Sequence, residues 1–180
     1  EKAGLERTAW FRSKGRGYFA QQSTQPQTLV YALADSPVGL LAWIYEKLVL
    51  WTDNHPWTED EGDMADAVII VLTWISIYLF SRAGPAASLR IYFELEGNSS
   101  SFLSKCPTIP MGASYFPKEL IVVPQAWVRK ANNVVFESKH QSGGHFAAHE
   151  KPGELVDDLR KMFGKGGPAY GVVPGKTGYA

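Results

Sequence analysis

The chain has 180 residues, 45% of them apolar and 20% charged, which fits one globular domain and excludes a disordered or low-complexity protein. Eighteen basic residues balance eighteen acidic ones, so there is no electrostatic case for nucleic acid or for an anionic membrane as a partner. The single cysteine, Cys106, excludes an intrachain disulfide and a cysteine metal cluster, and a reducing, cytoplasmic setting is expected.

The chain begins at Glu1 rather than Met, with no basic segment and apolar core of a signal peptide behind it. It reads as a trimmed chain or a piece of a longer one. "EKAGLERTAWFR" ends a helix that "SKGRG" breaks. "GYFAQQSTQPQT" follows, with Tyr18 early in it and Pro26 directing an irregular path. A short helix is expected from Gln27 to Ala34. Asp35 or Ser36 can cap the next helix, with Pro37 at its first position, where the missing N–H costs nothing. In "PVGLLAWIYEKLVLW", Leu40, Leu41, Ile44 and Leu48 recur at helical spacing and predict one buried face.

"TDNHPW" is a loop, and His55 in it reads as solvated. "TEDE", Thr58 to Glu61, fits a capping box, yet "GDMADA" follows instead of an apolar run. Gly62 to Ala67, on to Ile70, therefore reads as an insertion, with the helix resuming near Val68. The run "VIIVLTWISIYLF", Val68 to Phe80, is shorter than the roughly 20 residues of a membrane span and reads as a buried core helix. "SRAGPAASLRIYFELEGN" turns and continues as a helix carrying Arg90, Tyr92 and Glu94. Asn98 lies in a weak N-x-S match.

"NSSSFLSKCPT" is a polar linker in which Cys106 reads as a small buried residue. "IPMGASYF" is a short buried strand. "PKELIVVPQAW" leaves it, presents Glu119 and enters a loop or short helix. "NNVVFESKH" is a second strand, and "SGGHFAAHE" turns from it through two glycines. Pro152 opens the last helix, with Leu155, Val156, Leu159, Met162 and Phe163 on one stripe and Gly164 as its stop. The tail "GKGGPAYGVVPGKTGYA" reads as mobile. Helix and loop up to residue 96, then strand, acid loop, strand, histidine loop and helix, give an α/β class with parallel strands. Two strands do not make a stable sheet of that kind alone, so the pattern is part of a larger fold.

His145 on its strand-to-helix loop reads, taken alone, first as an ordinary loop histidine, and Glu119 as a solvated surface acid. Together they make a base and its orienter. Each follows a strand, and residues at the carboxyl ends of neighbouring parallel strands converge on one crevice. A carboxylate on one imidazole nitrogen fixes the tautomer and stabilises the imidazolium formed when the other nitrogen takes a proton. His140 and His149 flank His145, but the glycines break any shared helical face and no third ligand is evident, so no metal site is expected. No G-x-S-x-G elbow exists and no aspartate sits in a strand-to-helix elbow. A nucleophile is not visible.

"GYFAQQSTQPQT", "DSPVGLLAWIYEKL", "RIYFE", "SYFPKEL" and "SGGHFAAHE", in this order, resemble the C-terminal half of microsomal-type epoxide hydrolases, particularly fungal ones. The resemblance covers residues 1 to about 170. It implies the C-terminal part of an α/β-hydrolase fold with an incomplete sheet, preceded by a helical lid. Residues 1–96 would be the lid, 97–164 the core part and 165–180 a mobile tail. It also implies hydrolysis of a small apolar epoxide by water to a vicinal diol, through an alkyl-enzyme ester and without a cofactor. By motif position His145 matches the general base, Glu119 the charge-relay acid, and Tyr18 and Tyr92 the donors to the epoxide oxygen. Without the motif, either tyrosine reads as a packed aromatic.

In the family the H-G-x-P motif and the nucleophilic aspartate lie upstream of residue 1, so the upstream half of the same protein is the expected partner and this chain alone is expected to be inactive. "GDMADAVII" interrupts a helix that is continuous in the family. A haloalkane dehalogenase relative would want Trp or Asn halide donors in place of the tyrosines. A non-catalytic apolar-ligand binder or a degenerate fragment is the reading from another class. A cut sheet exposes an edge, so the chain by itself is expected to be poorly soluble or a homo-oligomer.

Overall fold

The computed structural model describes residues 2–57, 65–97 and 106–175. The chain divides into two compact units. One comprises residues 1–9, 51–53 and 105–180; the other comprises 10–50 and 54–104. The division therefore groups residues 1–9 and 51–53 with the C-terminal part, whereas the sequence reading sets one boundary near residue 96. The capping box at Thr58 to Glu61, the start of the insertion at Gly62, and Asn98 with most of the polar linker lie outside the described residues.

The first unit is built on β1 (Met111–Tyr115) and β2 (Val134–Lys139), paired parallel with Ser114 opposite Ser138 and Tyr115 opposite Lys139. The short α7 (Gln125–Ala131) joins them. Parallel strands need such a crossover, since a tight hairpin turn reverses direction. Arg129 on α7 bonds Glu137 at 2.7 Å, and the Tyr115 hydroxyl donates to the same carboxylate at 2.8 Å. These bonds tie crossover, β2 and β1 together. Burial first, then the bond to Glu137 and its charge, push the Tyr115 phenol up to about 12, with Arg129 acting in the opposite direction.

After β2 come the single turn α8 (Ala147–Glu150) and α9 (Pro152–Phe163). The buried positions of α9 are Asp158 and Met162, while Val156, Leu159 and Phe163 are exposed. Of the expected apolar stripe, Met162 is buried and Leu155 half-buried, but Val156, Leu159 and Phe163 are not covered, and an acid, Asp158, takes the other buried position. Beyond α9 the chain turns back: Ala169 is buried and its amide donates to the Met162 carbonyl. α1 (Lys2–Trp10) reaches the loop after β1. There the Val122 amide donates to the buried Thr8 hydroxyl at 2.9 Å.

The second unit is helical. A π-helical turn, Phe11–Gly15, precedes α2 (Gly17–Thr24) and α3 (Pro26–Asp35). "GYFAQQSTQPQT" is therefore helix broken only at Gln25, where an irregular path was expected: Pro26 opens α3, as its fixed φ and absent N–H allow. α4 (Pro37–Trp51) starts under Ser36, whose hydroxyl accepts the Gly39 amide at 3.0 Å. Leu40 and Leu48 are its most deeply buried apolar residues.

α5 (Ala65–Phe80) begins within the stretch read as an insertion. It buries the stripe Ala67, Val71 and Ile75 and exposes Ile69, Leu72, Ile77 and Phe80, so it is not the fully buried core helix expected. α6 (Gly84–Gly97) packs on α2 and α3. A cavity of about 380 Å³ is lined by apolar side chains, among them Val38, Leu41, Trp57 and Leu72. His55 is half-buried, its ring 4.3 Å from that of Trp57, rather than solvated. No single helix among the described residues is long and apolar enough to cross a membrane.

Candidate active site

Beyond the strands the two loops stay in register. Lys118 and Gly144 form an isolated parallel bridge, and the Lys118 amide donates to the Gly143 carbonyl at 3.1 Å. The next residue on each side is Glu119 and His145, so the bridge sets them next to each other. His145 Nδ1 donates to Glu119 Oε1 at 2.7 Å. The donor role follows from the partner, since an ionised carboxylate only accepts. Among the described residues Nε2 makes no hydrogen bond, and the two side chains are 40% and 41% exposed. An imidazole so arranged can take a proton on Nε2 while the carboxylate stabilises the cation.

Glu119 is held in its ionised form. Burial pushes its carboxyl up, but the His145 bond, the Leu120 amide at 2.6 Å and the charges of His145 and Arg7 outweigh it, so the net shift is downward. Arg7 comes from α1, where its Nε donates to the Lys118 carbonyl at 2.7 Å.

The histidine loop depends on its two glycines. Gly143 sits at φ +113, and a Cβ there would meet Phe116. Gly144 lies so near the Trp51 carbonyl that a Cβ would stand 2.5 Å from its oxygen. Only glycine fits both demands. Trp51 meets the imidazole edge-on, with ring centroids 5.3 Å apart.

In the helical unit Tyr18 on α2 and Tyr92 on α6 come together. Their rings meet edge-to-face at 5.7 Å and their hydroxyls are hydrogen-bonded. Burial first, then the neighbouring phenol, pushes Tyr18 up to about 12, so it stays a neutral donor across the physiological range. Phe19 packs on Tyr92 at 5.6 Å, and the ammonium of the buried Lys47 stands 5.6 Å from the Tyr18 ring. The four residues singled out in the sequence thus form two pairs, one in each compact unit.

Sequence reading missed a second histidine–carboxylate pair. His140 Nε2 bonds Asp158 Oδ2 at 2.7 Å, with side chains only 12% and 4% exposed. Ser114 also donates to Asp158, at 2.7 Å, and Phe116 stacks on His140 at 4.4 Å. Burial pushes Asp158 up, and the bonds from Ser114, His140 and Ser138 bring it below its ordinary value. The one available signal was an acid within the apolar phase of α9. Asp53 and Glu150 were missed as well: they take backbone amides of the histidine loop, and residue type alone does not announce such contacts. Cys106 is exposed, not buried.

Parallel strands followed by an acid loop and a histidine loop fit the C-terminal part of an α/β-hydrolase, and solved structures agree. The Aspergillus niger epoxide hydrolase superposes with a TM-score of 0.68 at 34% identity, over 88% of this chain and 38% of that one. The juvenile hormone epoxide hydrolase of the silkworm Bombyx mori does so at 0.71 and 26%, over 87% and 38%. Curated relatives include a putative epoxide hydrolase of Stigmatella aurantiaca, 40% identical over 91% of this chain, and epoxide hydrolase 1 of Sus scrofa, 32% identical over 89%. No family model matches. By sequence and fold the chain corresponds to the C-terminal part of these epoxide hydrolases of the α/β-hydrolase fold, and it spans about 36% of the length of these two curated relatives.

Proposed function

We propose that this chain carries the water-activating pair and the oxygen-polarising phenols of an enzyme that hydrolyses small apolar epoxides to vicinal diols. The observation that carries the reading is the 2.7 Å bond from His145 Nδ1 to Glu119 on adjacent loops, with Nε2 unbonded among the described residues. A carboxylate nucleophile, supplied by residues outside these 180, attacks an epoxide carbon; the ring C–O bond breaks and an alkyl-enzyme ester forms. Tyr18 and Tyr92 donate hydrogen bonds to the epoxide oxygen as it gains charge, and one phenol gives it a proton. Neutral donors aimed at a developing oxyanion stabilise the transition state more than the ground state.

In the second step His145 Nε2 takes a proton from water while the water oxygen attacks the ester carbonyl. The ester C–O bond then breaks, the leaving oxygen takes the proton of the carboxylic acid so formed, which releases the diol and regenerates the carboxylate, and the imidazolium proton returns through water to the phenolate left by the first step. Glu119 holds the ring and balances the imidazolium. In the protein that carries this chain, an aryl epoxide such as styrene oxide is the assay substrate. His145→Ala is expected to lower diol formation by about 10²–10⁴-fold, the usual contribution of a positioned general base. Full turnover in that variant would remove His145 from the mechanism.

The apolar cavity of the helical unit supports one other reading, a binder of apolar molecules without catalysis. It predicts saturable binding of an aryl epoxide with no diol released by any form of the protein.

A further inference from the structure

Three consecutive amides of the histidine loop each find a different acceptor. Gly143 donates to Asp53 Oδ2 at 2.9 Å, Gly144 to Glu150 Oε2 at 3.0 Å, and His145 to the Trp51 carbonyl at 2.8 Å. The second oxygen of Glu150, Oε1, accepts the Asp53 amide at 2.6 Å. Glu150 therefore bridges two backbone segments: with one oxygen it holds the histidine loop, with the other the segment that supplies the loop's remaining acceptors. Asp53 completes the figure, giving its amide to Glu150 and taking an amide from Gly143.

We propose that Glu150 and Asp53 are positioning residues for His145, forming a carboxylate brace that fixes where the imidazole stands over its proton donor. The proposal rests on the hydrolytic reading of the Glu119–His145 pair. The physical reasoning is short. The loop has two glycines, one of them at positive φ, so its backbone is intrinsically the least constrained stretch near the site. A histidine carried on it needs its amides pinned from outside. Carboxylates do this well, because hydrogen bonds to an ionised acceptor are shorter and stronger than neutral ones. Strand pairing stops at the Lys118–Gly144 bridge, one residue short of His145. From there the brace takes over the role of the sheet.

Neither carboxylate is asked to touch substrate, and neither takes a proton in the reaction. What they supply is geometry, and geometry is expensive to lose: a displacement near 1 Å in a catalytic group costs about a hundredfold in rate. The step affected is the one His145 performs. Loosening the brace therefore slows ester hydrolysis and leaves ester formation alone.

The test uses the whole protein that carries this chain, with four variants and two readouts. Glu150→Ala loses both acceptors; Glu150→Gln keeps one; Asp53→Ala loses the Gly143 contact; Asp53→Asn keeps an acceptor without the charge. In rapid-quench kinetics with styrene oxide, Glu150→Ala is expected to slow ester hydrolysis by about 10²-fold, with ester formation within about threefold of the unmodified protein and the ester accumulating. Glu150→Gln should fall between, and Asp53→Asn, which keeps a neutral acceptor, should lose less than Asp53→Ala. General destabilisation lowers both steps together and leaves their ratio unchanged. That result overturns the proposal, as does an Asp53→Asn loss equal to that of Asp53→Ala.

Hydrogen exchange supplies the second readout and needs no turnover. The amides of Gly143, Gly144 and His145 should exchange faster in Glu150→Ala, and unchanged exchange overturns the brace whatever the chemistry. If the unmodified protein forms no ester, the hydrolytic reading fails by itself. The exchange result then still decides whether the brace holds the loop.

Discussion

Two histidine–carboxylate pairs lie in the same compact unit with the same separation, 2.7 Å, and they are built for different ends. His145 and Glu119 are each about two-fifths exposed, sit on loops past the strand ends, and leave one imidazole nitrogen without a partner among the described residues. His140 and Asp158 are almost wholly covered. Asp158 is also bonded by Ser114 on β1, and His140 is capped by the Phe116 ring. The first pair has capacity left over for chemistry. The second has spent it on holding α9 against both strands. Distance does not separate them; the solvent access of the ring and the number of bonds already made do.

The comparison predicts opposite profiles on mutation. His145→Ala should cost the largest effect on turnover, about 10²–10⁴-fold, while its urea midpoint stays near that of the unmodified protein. Asp158→Ala should invert this. Removing one member of a covered pair costs about 3–5 kcal/mol, here because Ser114 and His140 lose their acceptor. Urea unfolding reads that loss, and the turnover of the remaining folded fraction should change little. Should both variants lose activity and stability alike, the distinction between the pairs is wrong.

Tyr18→Phe should slow ester formation, not ester hydrolysis, by about 10²-fold, near the lower end of what a single oxyanion donor contributes, because Tyr92 still donates. Rapid-quench separation of the two steps checks this.

The smallest effect expected is on acid stability. Both carboxylates are depressed in the folded protein. A depressed folded value means the stabilisation is present above the unfolded value, about 4 for carboxyls, and is lost as the pH falls through the folded value. Asp158→Asn should flatten the loss of stability on acidification more than Glu119→Gln does, since Glu119 is well solvated and its interaction correspondingly screened. Urea midpoints at a series of acidic pH values measure the difference.

How much of this was legible in the sequence depends on what kind of contact made it. Glu119 and His145 could be paired because each follows a strand, and parallel register carries both to the same edge. Tyr18 and Tyr92 stand out only through their motifs; the helical spacing of α2 and α6 gives no reason to join them. The brace was not legible. Glu150 meets the Asp53 amide across 97 residues, and a side chain bonding a distant backbone leaves no pattern in residue type. The buried face of α9 was read only in part, Met162 but not Asp158, because an apolar pattern cannot register a buried aspartate. α5 was overcalled as core because its run is apolar nearly all round, while of its described residues only Ala67, Val71 and Ile75 are fully buried. Pro26 was read as a break, though the first turn of a helix is a place where proline fits.

The central claim is that the Glu119–His145 pair activates water against an ester made elsewhere in the protein. The most direct test is the intact mass of the His145→Ala protein after mixing with styrene oxide. The account predicts a stable gain of one epoxide mass, with diol release slowed by at least about a hundredfold. An unmodified mass together with normal diol release would contradict it.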